Sequence, residues 1–450
     1  MRKFLIFDNK ILFLRKFLKM LIEFSLANYL SFKDKTTLSL LSTSIKEHKD
    51  KNIFSTERHN LLKGAMLYGA NASGKSNFIK AMSTMRRLIL CSFKKSSAEE
   101  LGITPFLLST ETENAPSLFE VVFLIDNIRY RYGFEVDDTS IHAEWLYEAI
   151  KQSEKPLFIR EKGGIEVVEK SFPEGKDLGE RTRDNALFLT VVDQFNGKTA
   201  KKIMQWFNSF ITVSGLSHED YKGVTFSMLE DKKTRPLLLD FYKKLDLGFD
   251  DITTDKTPFD PKELPDDIPE SLVKQLITDL QDSVRIDIRT IHKKYDAKNK
   301  IAGKVEFDMR SQESSGTNKL FNISGPVFDV LNDGGVLVID ELDASLHPLL
   351  TLAITKLFNS AEFNQKNAQL IFATHDTNLL NYGSYRRDQI YFVEKNKYGA
   401  SEMYSLVEYK EEGKTVRKDR SFEKDYIEGR YGAIPFIGNL SNVVKEWQER

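Results

Sequence analysis

The sequence feature that most constrains the fold is a glycine-rich loop at residues 69–76, Gly-Ala-Asn-Ala-Ser-Gly-Lys-Ser, which fits the pattern G-x-x-x-x-G-K-[ST]. The apolar run at residues 65–68 predicts a buried strand before the loop, and residues 77–82 predict the first turns of a helix after it. The two glycines allow the backbone N–H groups to turn toward one anion, and the dipole of the helix attracts the same anion. The loop therefore predicts a strand–loop–helix unit that binds phosphate groups.

The residue types in this loop predict roles around a bound nucleotide. Lys75 can reach the β- and γ-phosphates, and the Ser76 hydroxyl can bind Mg²⁺. A glycine-rich turn that contains Lys-Ser by chance is the alternative, and it would not account for the flanking strand and helix. The predicted nucleotide-binding residues of the loop are Gly69, Asn71, Ser73, Gly74, Lys75, Ser76 and Asn77.

Composition narrows the class of protein. The chain has 450 residues, enough for two or three domains, and its formal net charge of -1 gives no overall attraction to nucleic acid or membranes. The single cysteine, Cys91, excludes an internal disulfide framework and predicts a reducing, cytoplasmic compartment. No apolar run approaches the length of a membrane span, so no membrane association is expected.

Residues 1–19 form a segment of their own. They are basic and apolar, but charged side chains divide them into pieces too short for a signal-peptide core. A regular alternating strand begins at Met20, so we expect residues 1–19 to be an upstream extension of the reading frame. The alternative is a short amphipathic helix that docks on a partner or a membrane surface.

The hydrophobic pattern divides the remaining chain into three parts. Residues 20–194 contain the phosphate loop and then, from Leu118 onward, period-two strands that predict an antiparallel meander. Residues 195–300 predict a mainly helical insertion, and residues 301–450 return to apolar strands joined by a crossover helix at residues 345–358. The apolar stripes of the predicted insertion include Ile203, Trp206, Phe207, Phe210, Ile211, Leu237, Leu238, Phe241, Leu245, Leu272, Leu276 and Leu280. The predicted fold class is α/β, with an antiparallel β subdomain and a helical insertion.

Polar residues follow two apolar runs that suit central parallel strands. Asp340 and Glu341 come directly after the run at residues 335–339, and His375 follows the run at residues 369–374. Ligand chemistry in a doubly wound sheet lies at such strand ends. We therefore predict that Asp340 holds Mg²⁺, that Glu341 polarises the attacking water and that His375 contacts the γ-phosphate. An acidic loop that only caps the following helix is the alternative for the two carboxylates.

A further segment of small residues, 311–317, precedes an apolar helical run. Ser314 or Ser315 can serve as the N-cap, and the helix N-terminus can receive a phosphate. The simpler interpretation is a capped helix alone. Gly325-Pro326 is expected to kink or interrupt this helix.

Together these segments resemble a known family. The chain is similar to ABC-type P-loop ATPases of the SMC and OLD lineage. It resembles more closely the RloA-like AAA family ATPases of prokaryotic defence operons, whose relatives include the ATPase subunit of the PARIS system. The segments that carry this resemblance are 28–32, the phosphate loop 69–77, 116–121, 130–134, 313–317, 338–348, 373–376 and 430–435.

The resemblance implies an ATPase that uses ATP and Mg²⁺. Ser314 and Gly316 occupy the positions of the signature that, in a partner protomer, closes over the γ-phosphate held by Lys75. Two ATP molecules would then lie in the interface of a head-to-tail dimer. Glu341 matches the catalytic glutamate and His375 the switch histidine.

Three features depart from the family pattern. His347 stands where these ATPases usually carry the second aspartate of the D-loop. No Q-loop glutamine can be assigned, although Thr104-Pro105-Phe106 lies near its expected place. The insertion replaces the long coiled coil of SMC proteins, which excludes DNA tethering by long arms.

Two classes of function remain open from the sequence. The first is an ATP-driven switch in an anti-phage or abortive-infection system that oligomerises and controls a separate effector, such as an RloB-like or Toprim-type nuclease. No nuclease-like acidic triad or His-Asn-His pattern follows His375. The second is an SMC-like repair or clamp ATPase that binds DNA through basic clusters at residues 232–235 and 292–304. A transporter subunit is a weaker third interpretation.

Overall fold

The computed structural model describes residues 19–151, 153–214, 221–258, 284–381, 383–411, 413–436 and 440–448. Residues 1–18 and the predicted stripe at Leu272, Leu276 and Leu280 lie outside this part of the chain. The contacts separate two compact units, one that includes residues 221–325 and one formed by residues 16–220 with 326–450.

The described strands, in chain order, are β1 (Lys19–Ala27), β2 (Thr36–Ser39), β3 (Ile53–Ser55), β4 (Asn60–Leu62), β5 (Gly64–Tyr68), β6 (Ser117–Ile125), β7 (Ile128–Val136), β8 (Ile141–Ala149), β9 (Lys155–Glu161), β10 (Gly164–Val167), β11 (Phe210–Ser214), β12 (Asp251–Pro258), β13 (Val284–Tyr295), β14 (Ile301–Asp308), β15 (Val336–Asp340), β16 (Gln369–Ala373), β17 (Ile390–Lys395), β18 (Ser401–Ser405), β19 (Lys410–Glu411) and β20 (Lys414–Thr415).

The described α-helices are α1 (Lys49–Asn52), α2 (Lys75–Cys91), α3 (Phe188–Gln194), α4 (Lys198–Asn208), α5 (Lys222–Glu230), α6 (Arg235–Lys244), α7 (Ser315–Asp333), α8 (Pro348–Phe358), α9 (Asn378–Asn381), α10 (Phe422–Ile427) and α11 (Leu440–Gln448). Short 3₁₀ turns lie at Ser92–Lys94, Pro173–Gly175, Gly179–Arg181 and Arg387–Gln389. In the described part of the chain, no helix has the length and apolar character needed to cross a membrane.

The larger unit contains two main sheets. The first has seven antiparallel strands in the order β10-β9-β8-β7-β6-β1-β2, which confirms the predicted meander. The second has six strands in the order β11-β15-β16-β5-β17-β18, all parallel except β18. The α/β fold with an antiparallel subdomain is the one that the sequence predicts.

Helix α2 shares one hydrophobic core with both sheets. Phe78, Met82 and Met85 of this helix belong to the same buried cluster as Phe123 of β6 and Val338 of β15. Fully burying one such side chain contributes about 1.5–3 kcal/mol, so this cluster fixes the helix firmly between the sheets. Because α2 begins at Lys75, the same packing fixes the end of the phosphate loop.

The smaller unit contains α5, α6, the antiparallel sheet β12-β13-β14 and the start of α7. The insertion is therefore helical in part, as predicted, but it also carries a sheet. The sequence signal for this sheet is the alternation of Val284, Ile286 and Ile288 with charged residues, a period-two pattern that is typical of a strand and that the helical prediction did not use.

The predicted helical stripe through Phe210 and Ile211 is wrong. Helix α4 ends at Asn208, and the two residues start β11, which pairs in parallel with β15. Apolar residues at the end of a buried helix and at the start of a buried strand give the same short-range spacing, so periodicity alone does not separate them.

Helix α7 continues through Pro326, where the sequence predicts a kink or a break. A proline removes one helical N–H and leaves the carbonyl four residues earlier, that of Asn322, without its usual donor. The Thr225 hydroxyl lies 2.8 Å from the carbonyl oxygen of Phe321 and 3.4 Å from that of Asn322, and it accepts the N–H of Gly325 at 3.0 Å. This hydroxyl therefore provides hydrogen bonds to backbone groups of the turn before the proline, where the regular helical hydrogen bond is lost.

Candidate nucleotide-binding site

The predicted site residues of the larger unit follow three neighbouring parallel strands. Strand β16 lies between β15 and β5, with Ile339 opposite Phe372 and Ala373 opposite Leu67. Backbone hydrogen bonds continue past the strand ends, from Thr374 N to Leu67 O (3.1 Å) and from Leu342 N to Ala373 O (3.1 Å). The segments that carry Asp340, His375 and the phosphate loop therefore leave the sheet at the same edge.

The glycines of the loop are required by close backbone packing. A Cβ on Gly69 would lie 2.2 Å from the Val393 carbonyl oxygen, and one on Gly74 would lie 2.2 Å from the Ser401 hydroxyl oxygen. Gly74 also has φ 119°, which side chains strongly disfavour, and it forms the N-cap of α2. The loop is therefore held open as a cradle whose shape a larger residue at either position would destroy.

Lys75 lies buried at the start of α2 and turns back over its own loop. Its Nζ donates to the carbonyl oxygens of Gly69 (2.8 Å) and Ala70 (3.1 Å). Burial lowers the pKa of Lys75, while the nearby carboxylates of Asp340, Glu341 and Asp343 oppose that change. An anionic ligand in the cradle would add negative charge beside this buried ammonium and so favour its charged form further.

The pair Asp340 and Ser76 fits a magnesium site. Burial, together with the charge of Glu341, raises the pKa of Asp340, while the Ser76 hydroxyl lies near the Asp340 carboxylate and opposes that rise. Oδ1 of Asp340 is buried and has no hydrogen-bond partner among the described residues. Mg²⁺ prefers a few protein oxygens together with phosphate oxygens, so one carboxylate and one exposed hydroxyl at a phosphate cradle suit it. In the described ranges no cluster of three or more His, Cys, Asp and Glu residues offers another metal site.

Glu341 and His375 complete this edge of the sheet. Glu341 has φ 48°, a left-handed conformation that costs free energy in a glutamate and that is frequent at functional sites. Both carboxylate oxygens of Asp343 accept the backbone N–H of His375 at 3.2 Å. Partial burial and the positive charge of Lys75 lower the pKa of His375, so its imidazole is neutral at pH 7.

The structure adds three residues that the sequence analysis did not assign to the site. Ser31 accepts a hydrogen bond from Asn77 Nδ2 (2.8 Å) and one from the Ser401 hydroxyl (2.8 Å). The Ser401 hydroxyl also lies 2.6 Å from the Ser73 carbonyl oxygen, to which it can donate its hydrogen instead of to Ser31. The hydroxyl of Tyr426 lies near the backbone of Gly69 and donates to the Ala433 carbonyl oxygen (3.2 Å), and burial raises its pKa to about 12. The C-terminal motif 430–435 thus reaches the phosphate loop through Tyr426.

No local pattern marks Ser401 or Tyr426, because each reaches the loop only through the folding of the chain. Ser31 lies in segment 28–32, which carries part of the family resemblance. That resemblance is the one feature of the sequence that pointed to Ser31. Leu30, in the same segment, donates its N–H to the carbonyl oxygen of Thr104 (3.0 Å), the residue near the expected Q-loop position.

The signature-like segment lies in the smaller unit. The Ser314 hydroxyl accepts the N–H of Thr317 (3.1 Å) and so caps α7, as predicted. Glu313 accepts hydrogen bonds from the Thr290 hydroxyl and from His292 Nε2 (2.8 Å) on β13. Because Ser314 and Gly316 belong to a different compact unit from Lys75, their contact with a nucleotide stays a prediction.

His347, at the position of the D-loop aspartate, has a structural role in this chain. Its Nδ1 accepts the N–H of Leu349 (3.2 Å), which makes it the N-cap of α8. Helix α8 therefore begins at Pro348 rather than at the predicted Ser345, whose φ is 61°.

The proximity of Lys75 and His375 can be tested by titration. We expect His375 to titrate below the usual histidine range, and the Lys75→Ala substitution to raise its pKa because a nearby positive charge is removed. NMR titration of the imidazole C–H signal measures this, with His375→Gln identifying the signal. Lys80→Ala, which removes an exposed charge from the same helix, is the control. An equal pKa in the wild type and in Lys75→Ala would show that the two side chains are not neighbours.

The chain is similar to two solved structures of the recombination mediator protein RecF in the RecFOR pathway, RecF-ATPrS and RecF-ATP. The first has 13% identity, covers 86% of this chain and 98% of that chain, and has a TM-score of 0.32. The second has 12% identity, covers 80% and 94%, and has a TM-score of 0.26. Similarity this low does not transfer a function, and no curated protein matches.

The family comparison is more extensive. Residues 65–381 match the family described as "AAA domain, putative AbiEii toxin, Type IV TA system". The matched range begins at β5 and includes the phosphate loop, the segment at 313–317 and both polar strand ends. Because it covers well over half of the 450 residues, the chain belongs to this family of AAA-domain proteins.

Proposed function

We propose that the protein is an Mg²⁺-dependent ATPase that works as a molecular switch in a prokaryotic defence system of the abortive-infection type. The observation that carries this proposal is that Lys75, Asp340 and His375 follow neighbouring parallel strands and lie close enough for the charges of the first two to shift each other's pKa and that of His375. A buried ammonium, an unpartnered buried carboxylate oxygen and a neutral imidazole at a glycine cradle suit a nucleoside triphosphate.

The residues of the larger unit divide the work of phosphoryl transfer. Lys75 leaves the carbonyl oxygens of its own loop and binds the β- and γ-phosphates, while the N–H groups of the loop surround the same oxygens. Ser76 and Asp340 would hold Mg²⁺, which when bound supplies positive charge to the phosphates. Glu341 orients the attacking water, and the neutral imidazole of His375 can donate a hydrogen bond to the γ-phosphate.

A second copy of the chain completes the site in this proposal. Ser314 is exposed at the N-terminus of α7, where the positive end of the helix dipole favours an anion. In a head-to-tail dimer, Ser314 and Gly316 of one protomer would close over the γ-phosphate bound to Lys75 of the other. ATP then joins the protomers, and hydrolysis releases them.

The defence role rests on the family and on the RloA-like motifs. The family description names a putative AbiEii toxin and a type IV toxin–antitoxin system, which suits an abortive-infection function. We propose that the ATPase controls a separate effector, such as an RloB-like or Toprim-type nuclease, in the cytoplasm. Copurification from the native operon tests this proposal, and phage protection by the ATPase alone would contradict it.

The Glu341→Gln substitution tests the catalytic assignment. We expect the variant to bind ATP but to hydrolyse it at least about a hundredfold more slowly, because the amide no longer polarises the water. The ATP-bound oligomer should then persist, which light scattering with and without ATP measures.

Glu362→Gln, which changes an exposed glutamate outside the site in the same way, should behave as the wild type. A Glu341→Gln enzyme with normal turnover would contradict the role of Glu341.

A further inference from the structure

The two ends of the β13–β14 hairpin differ in burial. We call the end around residues 288–290 the root and the end that carries the turn the tip. At the root, Thr290 is fully buried and Ile288 is nearly so. At the tip, which we define as residues 293–302 together with Lys304, every residue is exposed. Tyr295 and Ile301 are paired across the strands and are 56% and 64% exposed. The tip is therefore a two-stranded ribbon with solvent on both faces.

The charges of the hairpin are balanced at its root. Arg289 lies 3.2 Å from Glu306 and 3.4 Å from Asp255. Lys293, the first residue of the tip, lies 2.9 Å from Asp250, and its hydrogen bond lowers the pKa of that carboxyl.

The rest of the tip carries an excess of positive charge. Lys294, Lys298, Lys300 and Lys304 form no ion pair with any described residue. Lys304 lies directly opposite Lys293, although like charges facing each other destabilise a strand pair. Asp250, which is paired with Lys293 and also interacts with Lys304, offsets part of this repulsion, so the excess positive charge of the tip lies mainly on Lys294, Lys298 and Lys300.

The turn of the tip has a defined structure that presents its lysines outward. The Asp296 carboxylate accepts the N–H groups of Lys298 (2.8 Å) and Lys300 (2.9 Å), and Asn299 takes φ 59°. The one acidic side chain of the tip is thus engaged with the backbone, and the ammonium groups of Lys298 and Lys300 face solvent. The turn fixes the positive charge at the far end of the ribbon.

We propose that this hairpin tip binds the phosphate backbone of double-stranded nucleic acid. A two-stranded β-ribbon fits the major groove of B-form DNA, which is about 12 Å wide, and lysines along the ribbon then meet phosphates. Tyr295 and Ile301 supply exposed apolar surface for the sugars and base edges. In this proposal the lysines contact phosphates, and phosphate contacts carry no sequence information, so we expect the binding to be independent of sequence. This site is separate from the proposed ATPase activity and does not depend on it.

Fluorescence anisotropy of a labelled duplex of about 30 base pairs, titrated with the full chain between about 50 and 200 mM salt, tests the proposal. The test variant is Lys298→Glu with Lys300→Glu. We expect its affinity to fall at least about tenfold and its slope of log affinity against log salt to decrease by about two, because each lost phosphate contact removes about one unit. The matched control is Lys162→Glu with Lys170→Glu, which changes an exposed lysine in the turn between β9 and β10 and another after β10, and it should bind as the wild type.

The contrary outcomes are distinct. Equal binding by the test variant and the wild type, or an equal loss in the control, would overturn the assignment to the hairpin. Absence of duplex binding, tighter binding to a single strand of the same length, or binding only to anionic phospholipid vesicles would overturn the choice of partner. Thermal melting curves of both variants confirm that a loss is not caused by unfolding.

Discussion

The site depends on one constraint, that three neighbouring parallel strands end at the same edge of one sheet. Strands β15, β16 and β5 lie side by side in register, so the segments after them cannot separate without breaking the ladder. This register brings an ammonium, a carboxylate and an imidazole from distant parts of the sequence into one electrostatic group. The chemistry of the site thus follows from strand order and not from any single motif.

The same constraint explains the ionisation of these groups. Burial at the sheet edge lowers the pKa of Lys75 and raises that of Asp340, which is the direction expected when each charge is removed from water. The opposite charge of the neighbouring group limits each shift: Asp340 opposes the fall in the pKa of Lys75, and Lys75 opposes the rise in the pKa of Asp340. In the function that we propose, the phosphates would carry the negative charge that suits Lys75, and their cation the positive charge that suits Asp340.

Much of this arrangement could be predicted from the sequence because it is encoded locally. The G-x-x-x-x-G-K-S loop, the apolar runs that end in Asp340 and His375, and the N-cap at Ser314 each occupy a few consecutive residues. Ser401 and Tyr426 could not be predicted, since they reach the loop over more than 300 residues through the fold alone. A strand at residues 304–309, which overlaps β14, was predicted, but β11, β12 and β13 were overlooked because short apolar spacings suit a helix and a strand equally well.

A mixing experiment tests the central claim, that the strand-edge site is one half of an ATPase centre that a second copy completes. Lys75→Ala removes the phosphate ligand. Ser314→Asp keeps a good N-cap but places a negative charge where the partner's γ-phosphate would lie. Each variant alone should lack ATPase activity. An equimolar mixture should recover up to about a quarter of wild-type activity, because about half of randomly assembled dimers are mixed and each mixed dimer holds one intact site of its two. A mixture as inactive as its components, or a Ser314→Asp protein with full activity by itself, would contradict the account.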